Sequence, residues 1–87
     1  MNQDILFADI QTWHVERQAI SFPAQQAGAL IECWVSLSWL QQRTSNSLVS
    51  EADIVAAFIH LRFDLEELAE ARIEDEDYEQ DGSIFIG

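Results

Sequence analysis

Eighty-seven residues, 48% hydrophobic and 23% charged, make one globular domain over 1–87, with no room for a second core or a separate cofactor domain. Size scaling allows roughly 64% of the chain's surface to be buried, a small but sufficient core. Sixteen acids stand against four arginines and no lysine, a net charge of -12, which excludes direct binding to nucleic acid and attraction to an anionic membrane, since both rest on cationic side chains.

The first residues, Met1-Asn2-Gln3-Asp4, lack the basic start and apolar stretch of a signal peptide, and Glu32 interrupts the longest apolar run, so a cytoplasmic location is expected. Cys33 has no second cysteine to bridge. A thiolate zinc site would need acids or the distant His14 and His60, and no metal or cofactor is expected.

Ile5, Leu6 and Phe7 read as a short edge strand, followed by a polar turn holding Trp13 and His14. Gln18 to Phe22 alternates, with Ile20 and Phe22 on one face, until Pro23 removes a ladder donor and ends the strand. Gly28 supplies the positive φ of a hairpin turn. Ala29 to Val35 then resumes the period of two: Ile31, Cys33 and Val35 face the core, and Leu30, Glu32 and Trp34 face away.

Ser36 caps a short helix running to about Arg43, with Leu37 and Leu40 stacked three apart, and Thr44 to Ser47 is polar loop. Ser50 with Asp53 resembles a capping box, with Val49 and Ile54 as its hydrophobic staple, and Ile54, Val55, Phe58 and Ile59 form the apolar stripe. The pattern repeats at Asp64 with Glu67, where Phe63 and Leu68 make the staple and Leu65, Leu68, Ala69 and Ile73 repeat at helical spacing. The acids Glu74 to Asp77 crowd the helix end that disfavours anions, so this helix should fray near Asp75. After the Asp81-Gly82 turn, Ser83 to Ile86 alternates as a closing strand. The expected class is α+β: a small, largely antiparallel sheet, built from a β-hairpin plus a C-terminal strand, with two to three helices packed on one face.

The order Phe7, Trp13, Arg17, Phe22-Pro23-Ala24, Gly28, Ile31-Glu32-Cys33, Leu40, then Arg62 with Asp64-Leu65-Glu66-Glu67-Leu68-Ala69, and finally Asp81-Gly82-Ser83-Ile84, resembles the small bacterial proteins of domain-of-unknown-function family 1488. The resemblance spans nearly the whole chain, and its motifs are structural. It implies an α+β domain of bacterial origin and brings over no catalytic residue, cofactor or partner.

Three chemistries are worth weighing. Asp77-Tyr78-Glu79-Gln80-Asp81-Gly82 opens like a calcium loop, but the closing twelfth position would be residue 88, and a solvated Asp-Gly turn is the better reading. Glu32, in mid-strand between Leu30 and Trp34, is the one acid placed for a hydrolase, either on a partly covered face that raises its pKa or paired with an arginine such as Arg17; a half-exposed strand carboxylate accounts for it more simply. Cys33 is read as a small buried hydrophobe, because a reactive thiol wants nearby positive charge.

Two interaction readings remain. Tryptophan is enriched at interface hot spots, and Leu30, Trp34 and Trp39 would form an apolar contact for a protein partner or a second copy of the chain, although a core position explains each indole more economically. Alternatively, Glu66, Glu70 and Glu74 align on the acidic helix, where they would mimic a nucleic-acid backbone toward a basic protein. The expected function is non-enzymatic protein contact.

Overall fold

A computed structural model describes residues 4–87. In chain order they form β1 (Ile5–Phe7), β2 (Thr12–His14), β3 (Ala19–Gln26), β4 (Ala29–Ser36), α1 (Leu37–Gln42), α2 (Glu51–His60), α3 (Arg62–Glu74) and β5 (Ile84–Ile86). The β3–β4 hairpin turns through two residues, Ala27 at φ 51° and Gly28 at φ 84°, the mirror-image turn whose twist matches that of the strands. Along the outer side of β3, β1 pairs opposite Ala24–Gln26 and β2 opposite Ala19–Ser21, while β5 runs parallel to β4 on the other side. The sheet is therefore five-stranded and mostly antiparallel, and with three helices the chain is α+β.

Two expectations about the strands need correction. Trp13 and His14 lie in strand β2, not in a polar turn. Pro23 does not end its strand either, since β3 continues to Gln26. Proline is tolerated where its missing N–H has no ladder partner, and Phe22 and Pro23 occupy the gap on the outer edge between the residues paired with β1 and those paired with β2.

Strand alternation gathers Ile20, Phe22, Cys33, Val35, Ile84 and Ile86 on one sheet face, where they pack in one core with Leu40 of α1, Ile54 and Phe58 of α2, and Leu65, Ala69 and Ile73 of α3. The rings of Phe22 and Phe58 meet at 5.2 Å between centroids. Along α2, Ala57 rather than Ile59 completes the buried stripe, and Ile59 is exposed.

The helix ends explain what faces solvent. Ser36 accepts a hydrogen bond from the Trp39 N–H, and Ser50 and Asp53 make the reciprocal box, but Val49 is exposed and makes no staple. The expected start of α3 at Asp64 also fails: Leu61 closes α2 and opens α3 at once, donating its N–H to Ala57 O and accepting from the Leu65 N–H. A one-residue joint leaves no place for an extended capping residue, so Phe63 sits 84% exposed on the first turn instead of stapling to the half-exposed Leu68. α3 ends at Asp75 as expected. Glu76 takes φ 55°, and its N–H and that of Asp77 donate to Ile73 O and Arg72 O, the paired closure usually built with glycine.

Candidate functional site

The sheet face away from the helices divides into two halves. Its rows across the strands are Leu6–Gln25–Leu30, then Pro23–Glu32, then Ser21–Trp34–Phe85. In one half the Trp34 indole is covered by the chain itself, while Phe85 beside it stays partly exposed: the Arg17 guanidinium lies 3.8 Å from the indole centroid and the His14 ring 4.7 Å from it, with His14 Nε2 2.9 Å from Ser21 Oγ. The other half is uncovered. Leu30 is 76% and Leu6 63% exposed, and together with Pro23 they border a shallow hollow of about 170 Å³.

Trp39 is buried in the same manner under Arg43, 3.8 Å from its centroid. Each indole is 8% exposed, which corrects the expectation of an apolar surface made from Trp34 and Trp39. Trp39 belongs to the core on the helix side of the sheet, Trp34 lies beneath Arg17, and Leu30 with Leu6 forms the exposed apolar part of the opposite face. Arg43 lies one helical turn after Trp39 and was legible as its partner; the stack of Arg17 on Trp34 joins a loop to a strand and had no local signal.

Glu32 is exposed on this face and forms no ion pair with Arg17, which lies over the indole instead. Glu32, Arg17 and Asp81 share an open hollow of about 280 Å³. The Asp81 carboxyl is held below its ordinary range, first by the Ser83 hydroxyl and then by the Ser83 N–H, both donating to its Oδ1. An acid held ionised in this way is the reverse of what a general acid needs. The same bonds make the Asp81-Gly82 segment a self-satisfied turn, and among the described residues no group of three His, Cys, Asp or Glu side chains is placed to hold a metal ion. Burial first, and the Glu32 charge second, push the Cys33 thiol up to about 12, leaving it protonated and inert.

The acidic face of α3 is partly neutralised from within. Arg62 binds Glu66 at 3.2 Å, lies 3.7 Å from Asp9, and donates to Ala8 O and Gln11 Oε1. Glu70 is half-buried, and Glu74 is exposed at the helix end. Between β1 and α3 runs an open groove of about 610 Å³, lined by Ile5–Phe7, Phe63 and the acids Asp64, Glu66, Glu67 and Glu70. Among the described residues no helix is long and apolar enough to cross a membrane.

These features define a small α+β protein with a mixed sheet, helices on one face and an uncovered patch on the other. The chain belongs to the family described as protein of unknown function (DUF1488), whose model matches residues 5–86. It is 30% identical to the uncharacterized protein YrdB of Escherichia coli (strain K12) over 86 residues, 99% of each chain, and 29% identical to YrdB of Shigella flexneri over the same length. A crystal structure of a DUF1488-family protein of unknown function from Shewanella loihica PV-4 superposes with a TM-score of 0.92 at 36% identity, covering 99% of this chain and 94% of that one.

Proposed function

We propose that this protein is a non-enzymatic protein-contact module whose contact surface is the uncovered half of the sheet face: Leu30 flanked by Leu6 and Pro23, on a base stiffened by Trp34. The observation that carries this reading is the exposure of two leucines in one cross-strand row, on either side of Gln25, on a face that no helix covers. Clustered exposed apolar groups on a small chain favour a protein contact. A second copy of the chain is a suitable partner, because most of the acids lie in residues 51–87 and a face-to-face contact between sheets keeps the two acidic halves apart. The exposed position of Glu32 speaks against a hydrolase, which needs a partly buried, tuned acid.

A second reading, contact of the acidic α3 face with a basic protein in the manner of a nucleic-acid backbone, is favoured by Glu70 and Glu74, which have no ion pair among the described residues. It is weakened by the capture of Glu66 by Arg62. Affinity capture from a bacterial lysate at low and high salt, with sedimentation of the purified chain alongside, separates the two. An apolar contact survives high salt and is lost in Leu30→Asp, whereas an acidic contact dissociates steeply with salt and ignores that substitution. Leu30→Asp with unchanged capture and sedimentation overturns the first reading.

A further inference from the structure

Successive strand residues point to opposite faces of a sheet, yet Ile5, Leu6 and Phe7 all line the groove beside α3. A hollow touched by three consecutive strand residues runs along the strand's edge, where the backbone lies. That edge has no ladder partner among the described residues, since β1 pairs only with β3. Sheets commonly shield such edges with lysine, proline, a bulge or a very short strand; β1 is short, at three residues, but Ile5-Leu6-Phe7 has no lysine or proline and pairs in simple register. The facing wall is α3 at positions 63, 66, 67 and 70, one helix face by spacing. It presents the exposed Phe63 and two carboxylates, Glu67 and Glu70, that have no hydrogen-bond or ion-pair partner among the described residues.

We infer that this groove receives an extended basic segment of a partner protein, which adds a strand to β1 and lays its cationic side chains against Glu67 and Glu70. The inference rests on the protein-contact reading but not on the Leu30 face. Strand addition takes affinity from main-chain hydrogen bonds and specificity from alternate side chains. The two walls match in length: three strand residues span about 10 Å at ~3.3 Å each, and Phe63 to Glu70 rises about 10 Å at ~1.5 Å per residue. Side chains two apart on an extended segment lie ~6.7 Å from each other on one side, close to the ~5–6 Å between helix residues three apart such as Glu67 and Glu70. Phe63 meets an apolar side chain at the end of the segment. A second copy is the wrong occupant, because the four arginines of this chain are each ten or more residues apart and no segment presents paired cations.

The test uses the full isotope-labelled chain and a capped pentapeptide with valine at its first position, lysine at its third and fifth and valine between, beside a backbone N-methylated version of equal charge that cannot donate ladder hydrogen bonds. At saturation, exchange of at least one amide within Ile5–Phe7 slows tenfold or more. N-methylation weakens binding at least tenfold, as does Glu67→Gln with Glu70→Gln, two surface changes checked for an unaltered thermal midpoint, while Leu30→Asp leaves Kd unchanged. Equal binding of the two peptides, protection elsewhere in the chain, or no binding at millimolar peptide and low salt overturns the inference. Loss of peptide binding with Leu30-dependent capture retained defeats the groove alone, and peptide binding without such capture defeats the sheet-face reading alone.

Discussion

Truncation of Leu30 to alanine separates contact from stability. With 76% of Leu30 exposed, about a quarter of it is buried in the folded chain. Full burial of a leucine is worth about 1.5–3 kcal/mol, so the buried quarter contributes about 0.4–0.7 kcal/mol to folding. Covering the rest in a contact gains about 1–2 kcal/mol, which is five- to thirtyfold in Kd. A core truncation behaves in the opposite way: Phe58, fully buried against Phe22, loses about 3–5 kcal/mol of folding stability on becoming alanine. Trp34→Ala is a poor probe for the same reason, because the indole is buried and its removal damages the sheet before it reports on a partner. Urea denaturation gives the stability change, and sedimentation equilibrium or titration with the captured partner gives the contact. A stability loss beyond about 1.5 kcal/mol, or an association constant within twofold of the parent, refutes the reasoning.

Three further outcomes are expected. The Cys33 thiol titrates near 9.0 when unfolded and is pushed up to about 12 when folded, so its contribution to stability is complete below about pH 9 and is lost, at up to about 1.4 kcal/mol per pH unit, as pH rises toward 12; urea denaturation between pH 8 and 10.5 should show this fall flattened in Cys33→Ala. Glu76→Gly relieves the left-handed backbone at φ 55° and removes a negative charge from a helix C-terminus, raising stability by about 0.5–1 kcal/mol, and an unchanged thermal midpoint would contradict it. Arg17→Lys keeps the charge but loses the planar stack on Trp34, costing about 0.5–1 kcal/mol and raising acrylamide quenching of indole fluorescence; unaltered quenching would show that the guanidinium is not the lid.

Most of the fold was legible because local rules agreed with tertiary ones. The alternation of Ile31, Cys33 and Val35, the Ser50–Asp53 box and the Ile84/Ile86 strand each state a face or an end that the core then uses. The misreadings occur where a long-range partner decides. Pro23 stays in its strand because two short strands leave a gap beside it, and β2 exists because β3 pairs with it, facts that the residues Thr12–His14 do not carry. Asp64 has the grammar of a cap, yet the junction at Leu61 places it inside the first turn. The candidate contact was half legible. Period two put Leu30 and Trp34 on one face, but their different fates depend on Arg17, thirteen and seventeen residues earlier in the chain.

The placement of the arginines decides which surfaces remain available. In a chain of sixteen acids, ion pairing would be the expected use of four cations, yet three of them lie over aromatic rings: Arg17 on Trp34, Arg43 on Trp39 and Arg62 on Phe58. The fourth, Arg72, donates to Phe85 O, and only Arg62 also forms ion pairs among the described residues. Stacking suits a planar, weakly hydrated guanidinium and closes apolar surface without adding chain length, which matters in a domain too small to spare a helix for each sheet face. The consequence is a field of unneutralised carboxylates on α3 and a sheet face closed only as far as one arginine reaches. Leu30 lies four strand residues from Trp34, about 13 Å away. A guanidinium seated on the indole cannot also cover Leu30, so among the described residues the exposed leucines mark the limit of the lid.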